Sequence, residues 1–309
     1  MDGLKKTSPP TVPPPRTYEP TLASALHAAS KLLAAKPGGV FLRRELELLV
    51  AANRQDWSLP SGVTTEAFIA GLEQATLLRE VVLQPVPGSK YQPFVRYAWG
   101  TPSPFSMALS LKAGSYLSHG SAVFLRGLSD QIPKNIYVNK EQSPKPAPAV
   151  PPSQESIDRA FQNEPRVSNY QFEFDGFRAT LLSGKNTGRL EVTGLTDAGV
   201  SLDVTKLERT LIDITVRPVY AGGVFEVLTA YRAARDRVSV NTLIATLKRL
   251  EYAYPYHQAI GFYMERAGFA PKQLDKLRSI GMPFRFYLTN RMHNPKLSED
   301  WQLFFPEGL

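Results

Sequence analysis

The sequence predicts an α+β protein: a helical N-terminal unit closed by a β-hairpin over residues 20–100, then a larger mixed α/β unit over 101–309 that ends in a helical, bundle-like region. Three observations predict it. Apolar residues recur at helical spacing from Leu22 to Leu72, and the period then changes to that of strands up to Trp99. Alternating and Gly-punctuated runs occupy residues 170–193, and helical spacing returns from Gly223 to about Ile280. A length of 309 residues, at roughly 150 per domain, fits two such units.

Residues 1–19 are too rich in Pro and too poor in apolar side chains to pack, and read as a disordered tail. Leu22, Leu26, Ala29, Leu32 and Leu33 mark a first helix, stopped by Pro37-Gly38-Gly39. Leu42, Leu46, Leu49 and Val50 mark a second. After the Pro60-Ser61-Gly62 turn, Thr64 or Thr65 caps a third helix bearing Phe68, Ile69 and Leu72. Val81-Val82-Leu83, a Pro87-Gly88-Ser89 turn and Phe94 to Trp99 form the hairpin. Three helices and a hairpin are the layout of a winged helix-turn-helix, whose third helix fits the major groove of duplex DNA. The expected groove contacts are Thr64, Thr65, Glu66 and Gln74, and the expected phosphate contacts are Arg43, Arg44, Arg54, Lys90 and Arg96. The third helix holds no Lys or Arg before Arg79, which argues against strong sequence readout.

In the second unit Ser103-Pro104-Phe105 opens a helix, and Ser118 fits the N-cap of the next, near whose end lies Gly127. A nucleophile-and-base reading of Ser118 and His119 is set aside, because adjacent residues seldom face each other. Asn135 to Val138 is a short strand, and the Pro-rich segment 143–153 is an extended loop. Tyr170 to Asp175, Arg178 to Leu182 and Arg189 to Thr193 read as strands. Thr205 and Glu208 read as a capping box for a helix buried through Leu207, Leu211 and Ile214. On that helix Arg209 and Asp213 form an i,i+4 pair expected to contribute only ~0.3–0.5 kcal/mol. Phe284 to Leu288 returns to strand.

Composition narrows the chemistry. With no Cys there is no disulfide, thiolate or Cys-based zinc site. His27, His119, His257 and His293 are scattered, there is no P-loop, dinucleotide fingerprint or HExxH motif, and neither a cofactor nor a bound metal is expected. No apolar run reaches the ~18 residues of a membrane span and no signal core opens the chain, so the expectation is a cytoplasmic protein without membrane contact. The net charge of +8 is concentrated at the end, where residues 205–309 carry fifteen Lys and Arg against ten Asp and Glu. There Arg232, Arg235, Arg237, Lys248 and Arg249 are candidates for a second basic surface. A metal-dependent nuclease using Glu173, Asp175 and Glu191 is the weaker alternative, since Thr193 stands where a catalytic Lys is usual and Lys185 lies in a Gly turn.

Two segments carry a resemblance. Ser115-Tyr116-Leu117-Ser118-His119-Gly120-Ser121-Ala122 with Gly127-Leu128 resembles the core motif of AbiEi-type antitoxins. Leu207-Glu208-Arg209-Thr210-Leu211-Ile212-Asp213, with Arg217-Pro218 and Ala221-Gly222-Gly223, is similar to their second signature. The resemblance covers roughly residues 20–290. It implies a non-enzymatic antitoxin of a toxin–antitoxin, abortive-infection operon in phage defence. Such a protein represses its own promoter through the winged helix and counters a nucleotidyltransferase-like toxin, with or without a stable complex. On this resemblance Ser118, His119, Arg209, Asp213 and Arg217 are the antitoxicity candidates. The alternative is a winged-helix adaptor for protein contacts in a phage-defence operon.

Overall fold

The computed structural model describes residues 19–309 except Pro37, residues 147–150 and Ala198, with side chains from residue 22 onward. The expected tail of residues 1–19 therefore lies, but for Glu19, outside the described residues, as does part of the Pro-rich loop.

The first stretch runs α1 (Glu19–Ala35), β1 (Val40–Phe41), α2 (Arg43–Asn53), α3 (Thr65–Ala75), β2 (Leu78–Pro85) and β3 (Phe94–Trp99). Thr64 caps α3, its hydroxyl accepting from the Ala67 amide at 3.1 Å. The apolar faces of the three helices meet in one cluster around Leu33, Leu46, Phe68 and Leu72, closed by Leu78 and Tyr97 from the hairpin. The two-residue strand β1, too short to announce itself by alternation, pairs antiparallel with β3.

The chain continues as α4 (Pro104–Leu109), β4 (Tyr116–Leu117), α5 (His119–Leu125), β5 (Asn135–Glu141), α6 (Gln154–Gln162), β6 (Gln171–Phe174), β7 (Phe177–Gly184), β8 (Val192–Asp197) and β9 (Val200–Thr205). Then come α7 (Leu207–Val216), a 3-10 turn at Pro218–Ala221, α8 (Val224–Ala234), α9 (Val240–Leu250), α10 (Tyr256–Arg266) and α11 (Pro271–Arg278), and last β10 (Phe286–Tyr287), β11 (Lys296–Ser298) and β12 (Leu303–Phe305). The molecule is α+β. Among the described residues one sheet has nine strands in the order β1-β3-β2-β6-β7-β5-β4-β9-β8, and a second has three, β10-β12-β11. The pairs β5–β7 and β4–β9 are parallel; the other neighbours in the large sheet are antiparallel.

Two local expectations need correction. The stretch Arg189 to Thr193 is mostly turn, with Arg189 and Glu191 at φ 57° and 56°, and the strand begins only at Val192. Thr205 is not a helix cap. It ends β9, its hydroxyl lies 2.9 Å from that of Thr210, and Lys206 takes the N-cap position. Glu208 instead accepts from the Ser239 amide and ties α7 to the start of α9.

The hairpin is continuous with the rest of the molecule. β2 pairs with β6 through Gln84 opposite Glu173 and Pro85 opposite Phe172. At its tip Tyr91 meets the ring of Tyr170 at 4.1 Å, and Phe94 meets Phe172 at 5.1 Å. Val81, Leu83 and Ala98 thus share a core with Phe105, Ile136, Phe172 and Val204. The C-terminal helices build a third core on Tyr231, Phe262, Tyr263 and Trp301. There Gly261, in mid-helix, gives Trp301 its seat, since a Cβ would stand 2.0 Å from the indole.

Candidate functional site

The residues expected to meet DNA take different roles. Arg44, Gln74 and Lys90 are exposed, whereas Thr65 is partly buried. Arg43 is held by Glu47 at 2.9 Å and by Glu66 at 2.8 Å, so Glu66 faces an arginine of its own chain. Arg54 donates to the carbonyls of Pro60 and Val63 and staples the turn before α3. Arg96 is corrected outright as a phosphate contact. It is 6% exposed, and its guanidinium donates to Ser110 Oγ at 3.1 Å and to the Ser110 and Val95 carbonyls at 2.8 Å. Its alternation in β3 points it inward, and buried guanidinium donors must be satisfied by the protein.

The basic C-terminal candidates are exposed but largely engaged. Arg235 pairs with Asp236, Arg237 donates to the carbonyls of Arg126 and Gly127, and Arg249 approaches Glu191 at 4.0 Å; Arg232 and Lys248 lie near the ends of α8 and α9. The acids of the nuclease alternative are also paired: Glu173 with Arg178, Asp175 with Arg79, Glu191 with Lys206. Among the described residues no group of three or more His, Asp and Glu is placed to share a metal ion, and no helix is long and apolar enough to cross a membrane.

The antitoxicity candidates, by contrast, converge. His119, Arg209, Asp213 and Arg217 line a single pocket of about 560 Å³ between the C-terminal ends of β5 and β7 and the face of α7. Gly120 lets α5 approach so closely, for a Cβ there would stand 2.9 Å from the Tyr220 carbonyl and 3.3 Å from the Tyr137 ring. Tyr220 in turn packs edge-on against His119 at 5.5 Å, and its hydroxyl accepts from the Ser168 amide.

Ser118 and His119 face each other after all. Ser118 holds the N-cap position of α5 as expected, but its hydroxyl lies 2.8 Å from His119 Nδ1 instead of making a cap bond. The cause is backbone: His119 sits at φ 51°, a left-handed conformation rare outside Gly, and that turn swings the ring back over its neighbour. Ser118 is 1% exposed and does not line the pocket. Its hydroxyl positions the imidazole. Burial, with Arg209 and Arg217 acting against Asp213, lowers the His119 pKa to about 4, so the ring is neutral near pH 7.

Arg209 and Asp213 are not a surface pair. Their Nε–Oδ1 distance is 2.7 Å, and both side chains are 5% exposed. Arg209 Nη1 also donates to the Leu190 carbonyl at 2.9 Å and reaches Thr187 Oγ1 at 3.4 Å. Burial opposes the guanidinium's charge, yet Asp213 more than compensates and holds its pKa above the usual range. Beneath the pocket Asn139 donates to Tyr116, Tyr116 donates to Glu141, and Glu141 accepts from Thr187 and the Arg189 amide. This chain fixes the floor.

The pocket also holds residues that the sequence reading did not single out for it: Lys145, Arg166 and Lys185 on its rim, Asn139 and Gln142, and the rings of Tyr220 and Tyr252. Lys185 donates to the carbonyls of Leu250 and Glu251. Their contributions come from five separate segments, residues 139–145, 166, 185, 220 and 252, so no local spacing marks them.

No family model matches the chain, and no curated protein matches it. Among solved structures, one described as the crystal structure of RV2827C protein from Mycobacterium tuberculosis is similar, with a TM-score of 0.56, 14% identity, and coverage of 92% of this chain and 91% of that one. At that identity the likeness concerns the fold alone.

Proposed function

We propose that the chain is an AbiEi-type antitoxin that represses its own promoter and counters a nucleotidyltransferase-like toxin, with the basic pocket as the working centre of neutralisation. One observation carries the reading. The two segments that bear the resemblance, 115–128 and 207–223, lie about ninety residues apart in sequence, yet His119, Arg209, Asp213 and Arg217 line one pocket. Packing alone does not require four polar groups from two motifs to share a cavity. In this reading α7 and the strained start of α5 hold a rigid polar surface, and Ser118 positions the imidazole without acting as a nucleophile.

Promoter binding is the second half of the proposal. It is supported by the element order of residues 19–99 and by the exposed Arg44, Gln74 and Lys90 around α3 and the hairpin tip. The adaptor reading has its own support: α3 exposes Glu66, Ala67 and Ala70 but no Lys or Arg, and the hairpin is docked on β6. Fluorescence anisotropy on the chain's upstream duplex decides between them. A repressor binds with a log K that falls steeply with log salt, by ~0.9 per phosphate neutralised; no binding at low salt leaves the adaptor. Neutralisation is tested by inducing the neighbouring gene in cells with and without this one. Growth restored only with this chain supports the antitoxin, and growth arrest unchanged by it removes the proposal.

A further inference from the structure

We infer that the pocket binds a nucleoside phosphate, the phosphates against its cations and the nucleoside against its tyrosines. The inference concerns the site described above and deepens the antitoxin reading by naming a ligand class, but the argument for it is the cavity's own chemistry.

The cavity is strongly basic. Lys145, Arg166, Lys185, Arg209 and Arg217 line the cavity, against Asp213 as the single carboxylate among the described lining residues. Asp213 is already committed to Arg209 through the 2.7 Å contact. Like charges gathered round a concave, partly dehydrated site repel one another, and the arrangement is favourable when a multiply charged anion sits among them.

Arg209 is fixed by Asp213 and the Leu190 carbonyl, so its planar fork is oriented before any ligand arrives. Rigid guanidinium groups suit the oxygens of a phosphate, and Lys185 and Arg217, which line the same cavity, are anchored too, by the Leu250 and Glu251 carbonyls and by the Arg166 carbonyl. The cavity is also large enough for more than a phosphate. About 560 Å³ lies within the ~300–1,000 Å³ typical of small-molecule sites and is far more than a lone phosphate fills. The remaining wall is suited to a flat polar ring: Tyr220 and Tyr252 offer aromatic surface, while Asn139, Gln142 and neutral His119 offer hydrogen-bonding groups.

Titration calorimetry of the full chain at low salt tests this, with ATP, GTP, CTP and UTP, with pyrophosphate, with adenosine, and with a 5′-phosphorylated single-stranded oligonucleotide. The expected result is saturable binding of at least one triphosphate, tighter than pyrophosphate, with adenosine silent. Arg217→Gln and Lys185→Gln should each weaken it about tenfold, the loss of one charge-assisted hydrogen bond. Lys272→Gln, an exposed change on α11 away from the cavity, should leave it as it was. Circular dichroism confirms that each variant is folded. Absence of saturable binding by any triphosphate at millimolar concentration overturns the inference, as do rim variants that bind like the parent. Pyrophosphate binding as tightly as the triphosphates overturns the nucleoside, and tighter binding of the oligonucleotide assigns the site to a nucleic-acid end instead. Toxin neutralisation is read separately in cells. Rescue without nucleotide binding sinks this inference alone, and binding without rescue sinks the antitoxin reading alone.

Discussion

Replacing Arg209 by Leu strands the Asp213 carboxylate in a site where it is 5% exposed, and Asp213→Leu strands the guanidinium in the same way. Each single change should cost about 3–5 kcal/mol in guanidinium unfolding, whereas the double Leu variant should recover most of it, because a buried pair contributes little net stability over apolar replacements. Equal losses in the single and double variants would mean that the bonds to Leu190 and Thr187, rather than the pair, hold α7. His119 gives a pH test with a definite sign. Its folded pKa of about 4 lies below the ordinary 6.5, so between those values the unfolded chain takes up more protons, and stability falls as pH drops through that window. His119→Gln should flatten the fall relative to the parent, leaving the smaller contribution of His257, which burial also lowers; unchanged slopes would show that the ring is not buried as described. The spacing of Arg209 and Asp213 was legible in the sequence, but their burial was not. The acceptors that satisfy Arg209 come from a loop about twenty residues upstream, and the left-handed turn at His119 leaves no trace in hydrophobic periodicity.

Periodic elements were the legible ones. The three helices, the hairpin and the helical run after Gly223 each repeat their apolar positions often enough to be read, and Thr64 announces its cap. Short elements were not: β1 has two residues, and β11 and β12 three each. Helix α6 escaped because its polar sequence follows a Pro-rich stretch, although Ile157 and Phe161 are its buried i,i+4 pair. The pairing of β2 with β6 is a tertiary fact between residues some ninety apart, and no local pattern encodes it. It has a measurable consequence. Phe172 is fully buried between the hairpin and β7, so Phe172→Ala should cost about 3–5 kcal/mol, and an isolated 19–100 fragment should bind a hydrophobic dye that the full chain ignores. A fragment that is monomeric and dye-silent would show that the hairpin closes its own core without β6.

At the scale of the molecule, the nine-stranded sheet carries the hairpin at one end and β8–β9 at the other, and the pocket opens where β5 and β7 run toward α7. Composition and charge placed the basic surplus in the last third, where Arg209 and Arg217 lie. They did not show that Lys145, Arg166 and Lys185 join them, since only the fold brings those loops together. This placement separates two surfaces: Arg44 and Lys90 on the N-terminal unit, and the pocket in the second. The growth-rescue assay with the neighbouring gene induced, run on His119→Gln and Arg217→Gln beside Arg44→Ala with Lys90→Ala, weighs them directly. The account predicts that both pocket variants, folded by circular dichroism, fail to restore growth while the N-terminal double variant restores it. Full rescue by both pocket variants would contradict it.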